Sequence, residues 1–170
     1  MLDAQQVLSE YLHSPRRHFE LNINVPTFSV FFDPLHEFVE WMKEFCGDNT
    51  IVDCGCGCGQ TVAVLRHAGL EAIGIDLYGA DRPLIHDIHL MNAVHFPFSP
   101  ETVALICRPC RGDWIHATIC KAVESGSKCV YVGKESHYEE DLEPLPYKVE
   151  KVLSSAGMQN ETVWVISKEE

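Results

Sequence analysis

The residues best placed to do chemistry form one short run, Asp53-Cys54-Gly55-Cys56-Gly57-Cys58-Gly59, joined by an acid, Asp76, about 20 residues beyond its first glycine. Glycines at alternate positions let the backbone turn sharply and approach a ligand where any Cβ would intrude. A helix beginning just after them aims free N–H groups into the same space. An acid at that distance, closing the next strand, suits hydrogen bonds from ribose hydroxyls. Both features therefore point to one nucleoside. A plainer reading stands beside this one: glycine-rich strand-to-helix turns occur in many α/β proteins, and an acid after a strand can simply cap a helix.

A second group follows an apolar run: Cys107-Arg108-Pro109-Cys110-Arg111-Gly112-Asp113. Arg108 is suited to clamping a substrate carboxylate, and Asp113 to orienting or deprotonating a nucleophile. Arg108, Cys110 and Asp113 are thus the candidate catalytic residues, with Arg111 beside them. Equally, Pro109 can serve only to shape the loop and Asp113 only to cap the helix starting at Trp114. Cys107 and Cys110 have the Cys-x-x-Cys spacing of a thiolate metal site, and Cys54, Cys56 and Cys58 would face them across a cleft. Against a metal, the loop cysteines occupy variable positions whose side chains partly point apart, so none is expected. Of nine histidines, His86, His89 and His95 surround Asp87 and His137 lies in an acidic stretch, at spacings that fit no zinc motif.

The elements that must position these residues can be read from periodicity. A helix is expected at 3–12, within an N-terminal cap segment spanning 1–33. Asp33 offers an N-cap and Pro34 a first helical residue, and Leu35, Phe38, Val39, Met42 and Phe45 then recur at helical spacing until Gly47. Phe38, Trp41 and Phe45 read as core, and Phe28, Phe31 and Phe32 as part of an apolar lid. Next come a strand at 50–52, the glycine loop, a helix at 61–67 and a strand at 71–75, which together make a βαβ unit. A weak strand at 83–86, strands at 102–107 and 128–132 and a helix at 114–124 continue the rhythm. The stretch 135–143 reads as an exposed acidic loop. A last helix at 145–156, closed by Gly157, and a strand at 162–167 end the pattern. The expectation is an α/β domain spanning 1–170: a mostly parallel sheet of about six strands with helices on both faces. It would lack one terminal strand, for which Met158-Gln159-Asn160-Glu161 is a poor candidate.

The loop is Asp-x-Gly-x-Gly-x-Gly rather than the Gly-x-Gly-x-x-Gly of dinucleotide folds. In this it resembles the first motif of the class I, Rossmann-like S-adenosylmethionine-dependent methyltransferases. The resemblance continues through Gly74-Ile75-Asp76-Leu77-Tyr78 and through 86–107, and family order holds from about Pro34 to Ser167. It implies S-adenosylmethionine as cofactor and S-adenosylhomocysteine as product. The implied cofactor residues are Asp53, Cys54, Gly55, Cys56, Gly57 and Gly59 in the loop, Asp76 and Leu77 at the ribose, Asp87 and Ile88 at the adenine, and Cys107 at the end of the fourth strand. The implied activity is methyl transfer to a small molecule or a protein side chain. The segment Cys107 to Trp114 carries neither the Asp/Asn-Pro-Pro-aromatic motif of amino-methylating members nor the Pro-Cys setting of the cytosine-C5 branch, so no motif names the acceptor. Oligomeric state is likewise unencoded.

Composition narrows the partners. A net charge of -12 repels phosphate backbones, so nucleic acid is not expected as a partner, and Arg16, Arg17 and His18 make only a small basic patch. No apolar run reaches the roughly 20 residues of a membrane span, and the N-terminus lacks a secretory core, so a cytoplasmic protein with reduced thiols is expected. Two rival readings remain open: a non-catalytic cofactor-binding or partner subunit, and a thiol metal-binding protein.

Overall fold

A computed structural model describes residues 32, 34–80 and 83–169. The expected helix at 3–12, Arg16, Arg17, His18, Phe28, Phe31 and the Asp33 cap lie outside the described residues.

The first described helix, α1 (His36–Cys46), turns Phe38, Val39, Met42 and Cys46 into the core and closes where the Gly47 N–H reaches the Lys43 carbonyl at 3.4 Å. It starts later than its sequence suggests, with Leu35 in extended conformation as N-cap. Pro34 forms an antiparallel bridge with Gly157, and the Leu35 N–H donates to the Ala156 carbonyl at 2.8 Å, so tertiary pairing takes both residues out of the helix.

The βαβ unit forms as expected: β1 (Thr50–Cys54), α2 (Gln60–His67) and β2 (Ala72–Asp76). β3 (His89–Leu90), β4 (Thr102–Cys107), α3 (Trp114–Glu124) and β5 (Lys128–Gly133) follow. A short helix, α4 (Tyr138–Asp141), lies in the acidic stretch, which is therefore structured rather than plain loop, with Leu142 fully buried below it. β6 (Lys148–Leu153) and β7 (Thr162–Ser167) complete one sheet of order β3-β2-β1-β4-β5-β7-β6. β1 to β5 run parallel, and β7 is antiparallel to both of its neighbours.

Two expectations are corrected. The sheet has seven strands, because 145–156 supplies β6 instead of a helix and no terminal strand is missing. Val149 and Val152 stand three apart, as on one face of a helix, yet they pack into opposite cores, as strand residues at odd spacing do; the β6–β7 ladder also shifts register between Lys151 and Leu153. Met158 to Glu161 forms the turn between β6 and β7, with Asn160 at φ 57. The third strand is His89–Leu90, not 83–86. Ile85 is buried against Gly59, and the Leu84 N–H donates to the Cys58 carbonyl at 2.7 Å, so this segment closes over the glycine loop rather than joining the ladder.

Alternate strand residues feed two cores, as a sheet covered on both faces requires. Ile51, Leu105 and Val130 pack with α1 and α2, whereas Val52, Ile106 and Tyr131 pack with α3. Among the described residues no helix is long and apolar enough to cross a membrane.

Gly59 is a stringent point in this frame. It has φ +84, and an added Cβ would stand 2.5 Å from Ile85 Cγ1. Gly59→Ala is expected to cost roughly 2 to 4 kcal/mol from left-handed strain and overpacking combined. Denaturant unfolding checks this, and a loss below about 1 kcal/mol would show that Ile85 yields.

Candidate functional site

A cleft of about 740 Å³ opens where the glycine loop, the segments after β2, β3 and β4, and the start of α3 converge. Its shape follows from chain direction, since parallel strands end together and their connections form the crevice. Gly55, Gly57 and Gly59 all adopt positive φ. The indole of Trp114 closes in from α3, so that a Cβ on Gly55 would stand 3.2 Å from its ring.

Two carboxyls define the polarity of the cleft. Asp76 is held by the backbone: Oδ2 accepts from the Gly57 N–H at 2.9 Å and Oδ1 from the Tyr78 N–H at 2.8 Å. This ties the end of β2 to the loop above β1. Asp53 is 2% exposed, and burial, assisted by the nearby charge of Asp76, pushes its pKa up to about 7. No hydrogen bond from a described residue relieves that cost. The thiols are driven the other way from reactivity. Burial, and next the carboxylate of Asp53, raises Cys56 and Cys107, holding both protonated. No three His, Cys, Asp or Glu side chains gather as a metal-holding group among the described residues.

Of the residues singled out from sequence, Asp53, Gly55, Cys56, Gly57, Asp76, Leu77, Cys107, Arg108, Cys110 and Arg111 line the cleft. Others do not. Cys54 is buried in the core beside α3. Gly59 serves as the N-cap of α2, and Ile88 packs on the core. Asp113 stands exposed at the head of α3 and makes no side-chain cap hydrogen bond. Asp87 is the clearest correction: it is exposed and paired bidentately with Arg66, both contacts being 2.8 Å. It precedes β3 rather than following it, and Asn92 occupies the cleft position after that strand.

Phe32, read from sequence as part of an apolar lid, and Cys58 of the glycine run line the cleft too, whereas sequence reasoning missed Gln60, Thr61, Tyr78, Met91, Asn92, Ala93 and Trp114 as lining residues. Trp114 left the one usable signal, an aromatic opening the helix after β4. Arg108 has φ 45, and its guanidinium donates through Nη1 to Glu161 Oε1 at 3.1 Å and Gln159 Oε1 at 3.0 Å. Arg111 is exposed and pairs with Glu140 at 3.1 Å.

No protein-family profile and no curated protein matches the sequence. Solved structures do match. A Burkholderia thailandensis 1,6-didemethyltoxoflavin-N1-methyltransferase, solved with 1,6-didemethyltoxoflavin and S-adenosylhomocysteine, aligns at TM-score 0.53 and 12% identity over 79% of this chain and 78% of its own. A SAM-dependent methyltransferase from Archaeoglobus fulgidus aligns at 0.53 and 12% over 78% and 91%. The mitomycin 7-O-methyltransferase aligns at 0.54 and 17% over 78% of this chain and 53% of its own. The chain therefore has the fold of the S-adenosylmethionine-dependent methyltransferases.

Proposed function

We propose that the cleft binds S-adenosylmethionine and that the chain, working as a single domain over 1–170, is a methyltransferase for a small-molecule or protein acceptor. One observation carries this reading: the Asp76 carboxylate, fixed between the Gly57 and Tyr78 N–H groups, faces the same cleft as buried Asp53. The residues fit the group chemically. A cofactor with ribose hydroxyls, an ammonium and a sulfonium favours carboxylates, and a cleft of about 740 Å³ suits a small-molecule site. A phosphate-bearing ligand would be repelled by both acids.

In this reading Asp76 accepts from the ribose hydroxyls, and the Gly55 to Gly57 backbone borders the methionine portion. Leu77, Met91, Asn92 and Ala93 flank the adenine, with Asn92 taking the place expected of Asp87. Asp53 supplies negative charge to the cationic end. When bound, S-adenosylmethionine would supply an electrophilic methyl group for an acceptor lone pair, with the thioether of S-adenosylhomocysteine as the leaving group. The protein's part is alignment and exclusion of water, with Trp114 and Phe32 forming apolar walls.

Asp53, with its pKa raised to about 7, is the lining group best suited to take a proton from an acceptor. The rival reading is a binding-only subunit. S-adenosylhomocysteine at about 100 times its Kd is expected to add about 2.7 kcal/mol, raising Tm by roughly 5 to 10 °C. Transfer of tritium from methyl-labelled S-adenosylmethionine to an acceptor panel then separates the readings. Transfer supports the enzyme, whereas binding with no transfer to any acceptor overturns it in favour of the binding subunit.

A further inference from the structure

Arg108 is held as a binding group rather than a fold element. Its N–H still donates to the Val132 carbonyl at 2.8 Å, extending the β4–β5 ladder by one bond, and its backbone then enters the left-handed region at φ 45. A non-glycine residue there costs conformational energy and marks sites where a side chain must be aimed. The Arg108 side chain is 14% exposed and that of its partner Glu161 is wholly buried. Glu161 is engaged at both side-chain oxygens, Oε1 by Arg108 and Oε2 by the Gln159 N–H at 3.0 Å, though not at its full acceptor capacity. Not every guanidinium nitrogen of Arg108 is engaged in turn: only Nη1 is engaged by described residues, so its other N–H groups stay available on the cleft wall. A buried pair of this kind adds little net stability, but it locks a planar fork in one orientation.

We propose that Arg108 recognises a carboxylate on the methyl acceptor, which makes the acceptor a small organic acid with an apolar body. The proposal rests on the methyltransferase reading. A fork whose charge is partly offset by Glu161 suits a planar monoanion, matched bidentately. A phosphate dianion would meet Asp53 and Asp76 in the same cleft. Beside Arg108, Pro109, Trp114 and Phe32 supply the apolar wall for the body of the acid. Arg108 is a specificity residue here; it touches the acceptor's anionic group, away from the reacting atom.

A carboxylate could instead come from the cofactor's methionine portion, and the test separates the two sources. The protein is titrated first with S-adenosylhomocysteine and with methylthioadenosine, which lacks the carboxylate. The S-adenosylhomocysteine complex is then titrated with benzoate and with its neutral isostere benzamide, followed by Trp fluorescence or NMR shifts. Benzoate is expected to bind about tenfold or more tighter than benzamide, the worth of a charged hydrogen-bonded pair. Arg108→Gln is expected to erase that preference while leaving S-adenosylhomocysteine affinity unchanged. If Arg108→Gln does not fold, Arg108→Lys, which keeps the charge but not the fork, should reduce the preference. Equal binding of benzoate and benzamide to the wild-type complex overturns the proposal. So does an Arg108 variant that weakens S-adenosylhomocysteine but not methylthioadenosine, which would assign the guanidinium to the cofactor. Failure of the underlying reading shows separately, as no binding of either nucleoside in the first titration.

Discussion

At pH 8 and without ligand, Asp53→Asn is expected to unfold at a higher temperature than the wild type while losing most of its response to S-adenosylmethionine. Moving a carboxyl's pKa from 3.8 to about 7 costs the folded state about 4 kcal/mol once folded and unfolded forms are both ionised. The sign follows from the raised pKa. The native state prefers the protonated acid, so the contribution to stability is intact below pH 3.8, declines as pH rises, and is lost above about 7. Asparagine resembles the neutral acid at every pH and escapes the cost. Its Tm advantage should reach roughly 8 to 16 °C in alkaline buffer and vanish toward pH 4. For ligand binding the direction reverses. If the cleft binds as proposed, ionised Asp53 attracts the sulfonium, which S-adenosylhomocysteine lacks, so the wild-type preference for S-adenosylmethionine should weaken as pH falls through about 7. In Asp53→Asn it should be flat. Thermal scans with each ligand across the pH range measure both effects; a wild-type Tm that is independent of pH relative to Asp53→Asn would contradict them.

The second large effect is expected at Glu161. Glu161→Ala removes a fully buried carboxylate and leaves Arg108, whose side chain is only 14% exposed, without its ion-pair partner. Breaking one side of such a pair costs about 3 to 5 kcal/mol, or a Tm loss of roughly 6 to 20 °C. The Gln159 N–H also loses its acceptor, loosening the turn that joins β6 to β7. Replacing both partners, as Arg108→Met with Glu161→Leu, should be markedly less harmful than Glu161→Ala, since the desolvation cost disappears with the pair. Equal destabilisation by the two variants would show that the cost lies in the packing of Glu161 beside Gly157, and not in the ion pair that aims Arg108.

The sequence made the β1-loop-α2-β2 unit legible because local signals agree there: apolar strands, glycines where the backbone needs positive φ, and an acid at the right remove. Asp76 could be singled out for the same reason. Other parts of the fold escaped because their causes are not local. β6 sets Val149 and Val152 three apart, at helical spacing but against opposite cores, and only pairing with β7 makes it a strand. β3 is two residues long, too short for any period to show, and misplacing it by a few residues exchanged Asp87 for Asn92 at the cleft. The Arg108–Glu161 pair joins the end of β4 to the β6–β7 turn, and nothing in either segment announces the other. Trp114 against Gly55 is likewise a contact made by the tertiary fold between two segments read separately.

The most direct test of the central claim is a calorimetric titration of the folded protein with S-adenosylmethionine at pH 8, run on wild type and Asp76→Ala. Saturable one-to-one binding by the wild type, lost in an Asp76→Ala variant that keeps its circular dichroism, is the predicted result. A folded wild type that binds nothing, or an Asp76→Ala variant that binds as well as the wild type, would contradict the assignment of the cleft to S-adenosylmethionine.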